Sequence, residues 1–132
     1  MPEKSTRVDN MDWKEYIDFM PWTLVFVPEF EEWLFEQEDQ LQDNIYRHLK
    51  LLEEFGPLLG RPKVDTLSGS RLNNLKELRL NHKGMPIRII FLFDEIQKGI
   101  ILSGGNKANN SKWYVKNIPL AEKRYTKYLR KK

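Results

Sequence analysis

The sequence predicts an α+β domain: N-terminal helices and a C-terminal helix packed on a small, mostly antiparallel sheet, in the order β-α-(α)-β-β-β-α. Three observations lead there. Between residues 29 and 55 apolar side chains recur at helical spacing, and Gly56-Pro57 closes the run. Between residues 75 and 103 three short apolar runs succeed one another with only turns between them. The chain has 132 residues, 40% hydrophobic and 31% charged, which suits one core and excludes a disordered chain.

Taken in order, residues 1–20 read as a tail and residues 21–132 as a single domain. Trp22 to Val27 is β-branched and aromatic and reads as a strand; Pro28 stops it and suits a helix start. From Glu29 to Phe55 the apolar positions Phe30, Trp33, Leu34, Leu41, Ile45, Leu49 and Leu52 mark one bent helix or two in sequence. Residues 57–74 are rich in Gly, Pro and Ser and read as a basic loop. Strands are expected at 75–80, 87–93 and 98–103, with Asn81 to Gly84 turning between the first two. Apolar residues fill both parities of Ile87 to Phe93, which predicts a central strand covered on both faces. After a polar loop over 106–117, Pro119 is expected to open the last helix.

Composition removes several chemistries. There is no cysteine, hence no disulfide, thiolate metal site or cysteine nucleophile. Two histidines, His48 in the helical run and His82 in the expected turn, argue against a histidine-based metal site. The N-terminal residues lack the apolar run of a secretory signal, and no apolar segment is long enough to span a membrane, so a cytoplasmic protein is expected.

The net charge of +3 conceals a segregation. Residues 1–62 hold 6 Lys+Arg against 14 Asp+Glu, whereas residues 63–132 hold 16 against 5. A C-terminal part at +11 suits a polyanion or an acidic partner. Arg79, Arg88 and Lys107 stand at strand positions that an antiparallel meander brings together, with Lys63, Arg71 and Lys76 around them. Arginine grips phosphate through parallel hydrogen bonds. Arg88 interrupts the apolar run PIRIIFLF, where an unpaired guanidinium would cost several kcal/mol. It therefore binds an anion there or pairs with an acid such as Glu77 or Glu95. Trp113 and Tyr114, aromatic residues among basic ones, suit stacking on unpaired bases or closure of the core.

The pieces LKELRL (75–80), PIRIIFLF (86–93), GIILSGGNK (99–107) and WYVKNIPLAEKRYTKYL (113–129) together resemble the RelE/HigB toxin superfamily of type II toxin–antitoxin systems, near its HigB-like, phage-associated branch. The resemblance spans about residues 22–129. It implies a ribosome-dependent endoribonuclease that cuts mRNA and halts translation, with no metal or cofactor. It also implies a neutralising antitoxin, a small helix-turn-helix protein. By position it makes Arg79, Arg88, Lys107 and Tyr114 the catalytic set and Lys63 and Lys76 RNA contacts; Arg71 and Trp113 are added as RNA contacts on their charge and ring chemistry. Glu77 stands where some relatives carry a basic residue, which leaves Tyr114, Lys107 and Glu77 as alternative general bases. Two other readings remain: a gyrase-binding, non-enzymatic toxin of the ParE type, and a non-toxic phage-derived nucleic-acid-binding protein.

Overall fold

The structure is a computed structural model that describes residues 21–131; the tail expected over 1–20 lies outside the described residues. Among these residues the elements are β1 (Thr23–Phe26), α1 (Pro28–Phe35), α2 (Asp39–Phe55), a 3-10 turn (Gly56–Leu58), β2 (Val64–Thr66), β3 (Lys76–His82), β4 (Met85–Phe93), β5 (Lys98–Asn106) and α3 (Trp113–Arg130). They form one sheet in the order β1-β5-β4-β3-β2. β1 joins β5 in parallel, and the other neighbours are antiparallel. The α+β class and the mostly antiparallel sheet are as the sequence predicts.

β4 takes the centre. Ile87, Ile89, Ile90, Phe91 and Leu92 on it are 0–1% exposed, which needs cover on both faces. The cover is read most directly at Gly104 and Gly105, adjacent on β5 and so pointing to opposite faces. A side chain on Gly104 would strike the Trp33 ring of α1, and one on Gly105 would strike the Trp113 ring of α3. One face therefore lies under α1 and α2, where Phe30, Leu34, Leu41, Ile45, Leu49 and Leu52 supply the apolar stripes. The other lies under α3. A register shift beside Ile90 and Phe91 leaves Leu102 unmatched on β5, and Arg124 of α3 donates to its carbonyl at 2.9 Å.

Lys83 and Gly84 both have positive φ and make the two-residue turn that twisted hairpins favour. This turn sets the β3–β4 register and places Arg79 directly opposite Arg88. His82 is not a free turn residue as expected. It is buried, bonded to Glu38 at 2.8 Å and to Asn44 at 3.2 Å, and so ties the hairpin to the start of α2.

Of the two alternatives for the helical run the structure has two helices, with a break at 36–38. Two further expectations are corrected. The basic loop contains a fifth strand, β2, which is three residues long and is hidden by its polar Val-Asp-Thr sequence. The last helix begins at Trp113 rather than Pro119. Proline removes one backbone donor, the N–H that would have reached Val115, and Val115 is strongly exposed, so the loss falls on the solvent side of the helix. Among the described residues no helix is long and apolar enough to cross a membrane.

Candidate active site

Strand pairing puts Arg79 of β3, Arg88 of β4 and Gly105 of β5 in one row across the sheet. Glu77 lies two residues before Arg79 and so shares its face. Two arginines facing each other across a strand pair repel, and Glu77 is the counter-charge between them. It is 3% exposed. Arg79 donates to its Oε2 through Nε at 3.2 Å, and its Nη2 stands 3.1 Å from the same oxygen. Tyr114, in the first turn of α3, donates its hydroxyl to Oε1 at 2.6 Å. Arg88 Nε stands 3.7 Å from the same oxygen, too far for a hydrogen bond.

Arg88 is the most constrained member. Its side chain is 13% exposed and its Nη1 donates to the Ile87 carbonyl at 3.0 Å, yet its buried Nε has no hydrogen-bond partner. Glu77 therefore neutralises this guanidinium without satisfying its hydrogen bonds. Sequence alone leaves phosphate ligand and ion pair as rival readings for it. The structure gives it Glu77, not Glu95, as the nearby acid, and leaves a donor open.

Lys107 follows the last residue of β5, its backbone N–H bonded to the Pro86 carbonyl, and its Nζ lies over the Tyr114 ring, 5.4 Å from the centroid. Lys63 reaches the same area from before β2. It lines a cavity of about 340 Å³ together with Pro62, Arg79, Leu80, Asn81 and Arg88. Its ammonium donates to Nε2 of His48 at 3.1 Å, while His48 Nδ1 faces the Asn44 carbonyl at 2.9 Å. Burial, with Lys63 and Arg47 adding to it, holds the His48 ring below the usual histidine range, so it stays neutral and accepts. Asp65 on the edge strand β2 shares Arg79 at 3.2 Å and is held by Arg61 at 2.8 Å. Five cations, Arg61, Lys63, Arg79, Arg88 and Lys107, thus stand around two carboxylates, a surplus of positive charge beside an open cavity. Burial first, then the Glu77 hydrogen bond and charge, pushes the Tyr114 hydroxyl above its ordinary range.

Of the residues named from sequence, Arg79, Arg88, Lys107 and Tyr114 come together, and Lys63 borders them. Three do not join. Lys76 is next to Glu77 and so belongs to the opposite face, where it donates to Thr66 at 3.2 Å. Arg71 pairs with Glu122 of α3 at 3.4 Å, away from the cluster. Trp113 is 4% exposed with its ring on Gly105, so it closes the core and has no free face for a base. What sequence reasoning underrates is Glu77, one possible base or ion-pair partner there and the centre of the cluster here. His48, placed by sequence in the helical run and given no role there, is the partner of Lys63. A larger, mostly apolar groove of about 510 Å³ between β1 and α2 gathers no comparable set of side chains among the described residues.

Residues 32–126 match the family described as phage-derived protein Gp49-like. HigB3 of Mycobacterium tuberculosis, which carries a toxin's name, is 41% identical over 107 residues, covering 80% of this chain and 92% of that relative. HigB2 of the same organism, also named as a toxin, is 37% identical over 114 residues, covering 85% of this chain but 56% of HigB2. Among solved structures, a mutant of Escherichia coli toxin RelE in the free state is similar at a TM-score of 0.57 and 14% identity, over 80% of this chain and 98% of that one. A chain of the RelBE2 toxin–antitoxin complex from M. tuberculosis is similar at 0.52 and 16%, over 68% and 95%. At such identities the likeness is one of fold.

Proposed function

From the premise that the chain belongs to the Gp49-like family and, with it, to the RelE/HigB-like toxins of toxin–antitoxin systems, we propose that it cleaves messenger RNA on the ribosome and so halts translation. One observation carries the reading. Arg79, Arg88 and Lys63 line one cavity, and the same two arginines gather with Tyr114 about a single buried carboxylate, with Lys107 over the Tyr114 ring.

RNA carries its own nucleophile, so the protein need only align, stabilise and move protons. The 2′-hydroxyl attacks the adjacent phosphorus, and negative charge grows on the phosphorane oxygens. Arg88 and the partly exposed Arg79 both border the cavity, and their guanidiniums are placed to meet that charge. Arginine stays protonated and cannot be the base. Lys63 borders the cavity and suits the backbone phosphate beside the cut. Orientation of the RNA by the ribosome supplies much of the rest. This reading places the protein in the cytoplasm, where ribosomes are.

The partner is an antitoxin, a small helix-turn-helix protein with acidic residues for the +11 half of the chain. Their complex should loosen as salt is raised, since exposed charge pairs are screened within about 10 Å at 0.1 M salt. Induction of the protein alone tests the whole reading. Protein synthesis should stop before DNA synthesis, with cut mRNA recovered from ribosomes. DNA synthesis stopping first would instead identify a gyrase-binding toxin, and unchecked growth a non-toxic binding protein.

A further inference from the structure

We infer that Glu77 is the proton acceptor of the cleavage, acting through the hydroxyl of Tyr114, so that the two form one relay. The inference rests on the ribonuclease reading and supplies the base which that reading leaves open.

Glu77 cannot touch RNA itself. It is 3% exposed, and its Oε1 already accepts the Tyr114 hydroxyl at 2.6 Å. Tyr114 cannot act alone either. Burial and the neighbouring carboxylate keep its hydroxyl protonated at neutral pH. A neutral phenol can accept a proton only if it gives up its own at the same moment. Glu77 Oε1 is the acceptor to which that proton already points.

Atoms and charge balance through the step. The 2′-oxygen forms a bond to phosphorus as its proton passes to Tyr114 Oη. The Tyr114 proton passes to Glu77 Oε1. The bond from phosphorus to the 5′-oxygen breaks, and that oxygen takes a proton from water. Glu77 later returns its proton to solvent.

The surroundings of Glu77 couple this transfer to the charge growing on the phosphorane. Arg79 on its own strand and Arg88 on β4 hold its charge, Asp65 lies opposite on β2 and shares Arg79, and Lys107 lies over the Tyr114 ring. When Glu77 takes up the proton, both guanidiniums lose their internal counter-charge while negative charge grows on the phosphorane beside them. The negative charge moves a short way within one fixed pair of arginines, so little has to reorganise. Glu77 is in this sense a positioning residue, reaching the substrate only through Tyr114.

The test measures cleavage of ribosome-bound mRNA by the full chain from about pH 6 to 9, for Glu77→Gln, Tyr114→Phe and the double variant. Loss of a general base lowers a rate by about a hundredfold or more. Glu77→Gln should show such a loss near neutrality and recover as pH rises, because removing the carboxylate lets Tyr114 ionise at lower pH and act alone. Tyr114→Phe should lose a similar factor with no recovery. The double variant should be no worse than Tyr114→Phe, as for residues acting as a unit. A Glu77→Gln deficit equal at every pH, or losses that multiply in the double variant, overturns the relay. Should Glu77→Gln fail to fold, Glu77→Asp takes its place: a loss seen with Tyr114 present and absent in the Tyr114→Phe background supports the relay, and an equal loss in both overturns it. Wild-type protein that leaves ribosome-bound RNA intact overturns the ribonuclease reading and the relay together. A cleaving wild type matched by Glu77→Gln overturns the relay alone.

Discussion

Glu77 and Glu122 are both buried acids on the α3 side of the molecule, and their company differs. Glu122, 7% exposed on α3, accepts from the Ser70 hydroxyl and the Arg71 backbone N–H, each at 2.7 Å, and from Arg71 Nε at 3.4 Å. Its cationic partner Arg71 lies 76% exposed in solvent. Its ligands are those of a clamp that holds the loop before β3 against the helix. Glu77 has two arginines and a phenol, more positive charge beyond them, and a buried N–H left over. Burial of an acid is therefore no mark of chemistry by itself. What marks the Glu77 corner is charge in excess of what folding needs, next to an opening.

The largest effect that could break this contrast is expected at Arg88. Arg88→Ala should lower mRNA cleavage by about a hundredfold or more, the usual loss for one transition-state donor. Its melting temperature should stay near wild type, because Glu77 keeps Tyr114 and Arg79. Thermal melts beside cleavage assays decide it. A loss of about 3–5 kcal/mol in stability with cleavage intact would make Arg88 half of a buried ion pair and nothing more.

Glu122→Ala should do the reverse. Urea unfolding should show a loss of roughly 1–3 kcal/mol from the abandoned hydroxyl and backbone donors, and cleavage should be unchanged. Lost cleavage in a folded Glu122→Ala protein would erase the distinction between the two acids.

The acid limb of stability sharpens the clamp. The Ser70 hydroxyl, helped by the Arg71 N–H and guanidinium, holds the Glu122 carboxyl below the usual carboxylate range. Its folded value is therefore under the unfolded one of about 4.3. The unfolded chain takes up the proton first, so the contribution is complete above that value and fades as pH falls towards the folded one. Wild type should lose stability on acidification more steeply than Glu122→Gln; parallel curves would contradict the assignment.

The smallest effects separate the lysines. Lys63→Ala should weaken RNA binding and reduce its salt slope by about 1, the change expected when one backbone phosphate is no longer neutralised. Lys76→Ala, on the other face of the sheet, should change neither quantity. Equal effects would show that the basic half acts as a diffuse field rather than a site.

Legibility from sequence divides along the same line. The central strand is readable because apolar residues at both parities of 87–93 have one meaning, and α2 because four buried positions repeat at helical spacing. β2 is not, since three residues in a Gly/Pro-rich stretch carry no period. The start of α3 is easily misplaced because proline is commoner at a first turn than at the seventh residue of a helix. Arg79, Arg88, Lys107 and Tyr114 are identifiable as a set. The hub is not: Tyr114 and Glu77 lie 37 residues apart, and only the β3–β4 register and the docking of α3 on Gly105 bring them together.

Product chemistry tests the central claim most directly. Ribosomes carrying an mRNA are incubated with the protein, alongside the same mRNA bearing one 2′-deoxynucleotide at the mapped cut. If the corner around Glu77 drives attack by the 2′-hydroxyl, cleavage leaves a 2′,3′-cyclic phosphate and a 5′-hydroxyl, and the single deoxy substitution blocks it. Cutting that proceeds at the deoxy position, or ends that carry a 5′-phosphate, would contradict the account.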